Sequence, residues 1–113
     1  MAPDAIPALI EQIDELLATP PSSEDEPAAL AHLERTLTDG YAHALSLEAE
    51  RWRLEQRMSE LASELDEGNR ELKAEELAQV SKRLSCNGHK LDRLRGVLSQ
   101  LRERATAARS AVV

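Results

Sequence analysis

The sequence predicts an all-α protein: a long antiparallel helical hairpin, coiled-coil-like, that follows a short N-terminal helix and dimerises into a four-helix bundle. Three observations lead there. The four Gly and five Pro fall in a few clusters, which leaves little turn material for a many-stranded sheet. Leucines return at heptad spacing along two long segments. With one Trp, one Tyr and no Phe, the core must be aliphatic, built from Leu, Ala, Ile, Val and Met.

Residues 1–18 hold the first element. From about Asp4, Ile6, Leu9, Ile10, Ile13, Leu16 and Leu17 recur on one helical face, and Pro7 lies close enough to the start to sit in a first turn. A helix of roughly 14 residues is marginal alone, so Ile6, Leu9 and Ile13 are expected to dock on another helix or another copy. Residues 19–26, Thr19-Pro20-Pro21-Ser22-Ser23-Glu24-Asp25-Glu26, combine turn formers with like charges and read as an exposed linker.

Residues 27–113 form the hairpin. Pro27 suits a first helical turn, and an uninterrupted pattern runs to about Glu67. Leu30, Leu37, Ala44, Arg51, Met58 and Leu65 fall at heptad position a, with Leu33, Gly40, Leu47, Leu54 and Leu61 at d. Gly40 costs about 1 kcal/mol relative to Ala inside a helix. It reads as a tolerated defect, with a bend or a close helix approach as the alternatives. Asp66-Glu67-Gly68-Asn69 places the turn near 66–70, because Gly68 can take the left-handed conformation that ends a helix and Asn69 can cap the next.

On the return, Leu77, Leu84, Leu91, Leu98, Ala105 and Val112 form one seam position, and Val80, Asn87, Leu94, Leu101 and Ala108 the other. Asn87-Gly88 offers a possible helix break, but the surrounding leucine periodicity predicts passage through it. Folding the chain at Asn69 makes facing residue numbers sum to about 138, so that each a position meets a d position. Leu61 then faces Leu77, Met58 faces Val80, Leu54 faces Leu84, and Arg51 meets Asn87 in a polar layer that would fix register. Charge favours the same closure. Residues 1–69 carry four basic and sixteen acidic side chains, whereas residues 70–113 carry ten basic and five acidic. A second apolar stripe, Tyr41, Leu45, Ala49 and Trp52, is expected to receive the first helix, a second copy of the chain, or both.

The net charge of −7 weighs against a nucleic-acid partner, and the absence of a long apolar run or a basic leader weighs against a membrane or a signal peptide. A single cysteine, Cys86, excludes an intrachain disulfide, and the expected setting is cytoplasmic. Cys86 and His89 share a helix face at i,i+3 with Asp92 beside them, too few ligands to define a zinc site. His32 and His43 lie about three turns apart, roughly 16 Å by helical rise, and cannot ligate jointly.

Glu48, Glu55, Glu60 and Glu64 alternate with Arg51, Arg53 and Arg57 as on a solvated helix face. No Glu-x-x-His pair, Gly-rich phosphate loop or nucleophile context occurs. The sequence therefore assigns no catalytic, cofactor-binding or metal-binding residue, no cofactor, and no enzymatic activity.

The expected function is a helical protein-interaction or assembly module, a homodimer or higher homo-oligomer with room for a further protein partner. Arg51, Asn87, Tyr41, Leu45, Trp52, Ile6, Leu9 and Ile13 are its interface or register residues. The alternatives are an adaptor or regulator whose basic third helix, with Arg93, Arg95, Arg102, Arg104 and Arg109, binds another macromolecule, and a metal or redox sensor using Cys86 and His89.

Overall fold

A computed structural model describes residues 5–18, 27–65 and 68–112, so the linker expected at 19–26 lies outside the described residues. The described residues form three helices, α1 (Ile6–Ala18), α2 (Pro27–Glu64) and α3 (Arg70–Val112), in a hairpin-like topology in which α2 and α3 pack strongly. The helix α3 passes unbroken through Asn87-Gly88. A Cβ built on Gly88 would meet nothing, so that glycine marks neither a cap nor a close approach.

Each helix end has a local cause. At the start of α1 the Ala5 carbonyl accepts the Leu9 N–H at 3.0 Å, and Pro7 occupies the first turn, where its missing N–H costs nothing. The helix α2 stops at Glu64, three residues before the expected Glu67. Its C-terminal carbonyl is met from the other arm, where the Lys73 ammonium donates to Glu64 O at 3.0 Å. A cation at a helix C-terminus is also favoured by the helix dipole. Gly68 at φ 91° and Asn69 at φ 51° then reverse the chain, and the Asn69 carbonyl accepts the first α3 bond from Lys73 N–H.

The chain divides into two compact units, to both of which α2 and α3 contribute. One contains α1 with residues 27–44 and 92–112. Here Ile6, Leu9, Ile10 and Ile13 of α1 are buried, as are Leu33 and Leu37 of α2 and Leu94, Leu98 and Leu101 of α3. Of the seven largest fully buried side chains, Ile13, Leu33, Leu94, Leu98 and Leu101 belong to this unit. Three apolar stripes therefore enclose side chains more completely than two. Thr36 is buried too, and its hydroxyl is satisfied by the His32 carbonyl one turn back at 2.9 Å.

The second unit, residues 45–91, is the turn end of the hairpin. Leu54, Leu61 and Val80 form its buried cluster, with Met58, Leu77 and Leu84 packed against them. Arg57 reaches across to Glu76 through two hydrogen bonds, 3.0 Å from Nε and 2.8 Å from Nη2, and also bonds Glu60. The Glu76 bonds first, then Glu60, hold the guanidinium above its ordinary pKa, so it stays charged at any working pH.

Gly40 marks a close approach. A Cβ there would lie 2.3 Å from Leu98 Cδ2, and Leu98 is itself fully buried. Gly40→Ala should gain about 1 kcal/mol of helix propensity but lose about 1–3 kcal/mol to overpacking. The expected outcome in urea unfolding is a net destabilisation of about 1 kcal/mol. In a Leu98→Ala background the clash disappears, and the same substitution should become stabilising.

Candidate functional site

Asn87 is the most buried polar side chain of the turn-end unit, 4% exposed at mid-α3. Its Nδ2 donates to the backbone carbonyl of Leu47 on α2 at 2.9 Å, while its Oδ1 has no hydrogen-bond partner among the described residues. Leaving a buried acceptor unmet costs about 1–3 kcal/mol. Asn87 and Leu47 also line a shallow groove between the two helices, with Glu50 from α2 and Lys82, Arg83, Cys86 and Lys90 from α3.

The expected Arg51–Asn87 layer is not formed. Arg51 is exposed and pairs with Glu55 one turn along its own helix at 3.1 Å, and Asn87 meets α2 one turn earlier, at Leu47. The physical reason is the length and charge of arginine. Its guanidinium reaches solvent along its aliphatic stem, avoiding the desolvation that burial beside a neutral amide would impose.

The expected docking of α1 on the second stripe also needs correction. Ile6, Leu9 and Ile13 are buried within the α1 unit, while Tyr41, Leu45 and Trp52 are 42%, 66% and 62% exposed. The buried apolar face of α1 holds it in its unit, and the basic end of α3 adds polar contacts to it. The Arg104 guanidinium donates to the Leu17 carbonyl in the last turn of α1, and Arg93 lies 3.8 Å from Asp14. Arg109 pairs with Glu34 of α2 at 2.8 Å.

Closure against the acidic α2 accounts for Arg109 but not for Arg93 and Arg104, which meet α1. The signal for the α1 contacts was present in Glu11, Asp14 and Glu15, an acidic surface on a helix needing a partner.

Cys86 and His89 are both exposed, and no group of three metal-ligating side chains occurs among the described residues. No helix among the described residues is long and apolar enough to cross a membrane. No protein-family model, curated protein or solved structure matches the chain. The candidate site therefore stands on its own geometry, an exposed apolar face on α2 and a polar groove beside Asn87.

Asn87 provides a direct stability test. Asn87→Leu removes the orphaned acceptor and leaves Leu47 O with its intrahelical bond, so urea unfolding should show stability unchanged or raised. Asn87→Asp removes the donor and sets a carboxyl against a carbonyl, and should destabilise by about 3 kcal/mol at neutral pH.

Proposed function

We propose that this chain is a non-enzymatic, cytoplasmic helical interaction module that associates with a second copy of itself through the outward face of α2. The supporting observation is the exposure of Leu45 and Trp52, two turns apart on a helix whose other large apolar side chains are mostly covered. Trp is the side chain most often found anchoring interfaces, since a single ring buries a large area at little rotamer cost. The two side chains present on the order of 300 Å² of apolar surface, within the range of patches that serve as contacts.

The face is suited to a two-fold contact. If α2 of one copy crosses α2 of the other in antiparallel fashion, Leu45 of each lies against Trp52 of its counterpart, with the small Ala49 near the axis. One patch is then used twice. Two hairpins meeting this way bring four long helices together, the bundle that the sequence led us to expect.

The adaptor reading is less favoured because three of the five arginines that would supply its basic surface, Arg93, Arg104 and Arg109, are engaged within the chain. Light scattering coupled to size exclusion tests the reading. The chain should run at the mass of two copies at about 100 µM and shift towards one copy on dilution. Leu45→Glu and Trp52→Glu should each give one copy throughout with an unchanged far-UV spectrum. A parent chain that stays at the mass of one copy at the higher concentration refutes the proposal.

A further inference from the structure

Charge divides unevenly between the two arms of the turn-end unit. Its part of α2, residues 45–64, carries five carboxylates and three guanidinium groups, whereas its part of α3, residues 70–91, carries five cations and three carboxylates. An ion pair within one arm, such as Arg51 with Glu55, is neutral and leaves the surplus of that arm unchanged. The cationic arm packs on the side of α2 that carries Leu54 and Leu61, while Leu45 and Trp52 are exposed on α2. The face offered to a second copy therefore belongs to the acidic arm.

A two-fold contact sets the same surface against itself, so the acidic arm of one copy meets the acidic arm of the other. The chains that approach each carry −7. A different protein could answer that charge with cations, but an identical copy cannot. We propose, building on association of two copies through Leu45 and Trp52, that this association is held back by like charge and released by rising ionic strength. Salt shortens the Debye length from about 30 Å at 10 mM to about 10 Å at 0.1 M, which removes the repulsion. Burial of the leucine and indole surfaces does not depend on that screening and is retained. Complexes joined by complementary charge weaken over the same range of salt, whereas this one strengthens.

Sedimentation equilibrium of the full chain at pH 7.5, in about 10 mM and about 0.3 M sodium chloride, reads the effect, and the dissociation constant should be about tenfold lower in the higher salt. Glu75→Lys combined with Glu103→Lys, at exposed positions of α3, adds two charges per exchange and brings the net charge from −7 to −3. Repulsion follows the product of the two charges and falls to about a fifth. The double variant should therefore associate more tightly than the parent in the lower salt, change by less than about twofold between the salts, and keep the parent's far-UV spectrum.

A parent dissociation constant that is unchanged or higher in the higher salt overturns this proposal and leaves association itself standing. A tenfold gain that persists in the double variant also overturns it, because the gain then comes from salting-out of apolar surface. A parent chain that stays at the mass of one copy in both salts at about 100 µM overturns the association reading, and this proposal with it.

Discussion

The core of the α1 unit depends on the absence of a side chain at Gly40. Leu98 Cδ2 occupies the space that a Cβ there would need, so a larger residue at that point would displace the Leu98 side chain. The helix loses about 1 kcal/mol by carrying glycine, and full burial of a leucine returns about 1.5–3 kcal/mol. A chain with almost no ring area has few other ways to close a core. It brings backbones together and fills the remainder with short aliphatic side chains, among them Ala44, Ala105 and Ala108.

Much of this was legible in the residues. Heptad spacing gave both long helices, Pro27 and Gly68 marked where one begins and where the chain reverses, and the apolar face of residues 6–13 announced a helix that had to be covered. Two expectations failed for reasons that spacing does not encode. A heptad assigns Arg51 to a layer but says nothing of where a long charged side chain ends, and Arg51 ends in solvent beside Glu55. Nor does spacing say which of two apolar surfaces a short helix will choose. Arg104 and Arg93 meet α1 at a backbone carbonyl, which no sequence pattern displays, and at Asp14.

Arginine thus takes a different part at each position. Arg57 ties the two arms near the turn, Arg109 ties them at the opposite ends of the helices, and Arg104 closes the end of α1. Because these groups are engaged within the chain, the surfaces left for recognition are of another kind. They are an uncharged stripe with a single indole, and a groove whose cations come from the middle of α3. Neither surface needs the other, so substitutions in one can be made without touching its counterpart.

The spacing of the cross-helix bonds along the chain also sets an order in time. Lys73 meets Glu64 across 9 residues, Arg57 meets Glu76 across 19, and Asn87 meets Leu47 across 40. Arg109 and Glu34 are 75 apart, and Arg104 and Leu17 are 87 apart. Short loops close at lower entropic cost, so the hairpin zips from its turn outward. The helix α1 is the first to be synthesised and the last to find its place. Until α3 has emerged from the ribosome, the unit that buries Ile6, Leu9, Ile10 and Ile13 lacks one of its three helices. That face is therefore what a chaperone, or the α3 of a neighbouring chain, meets first.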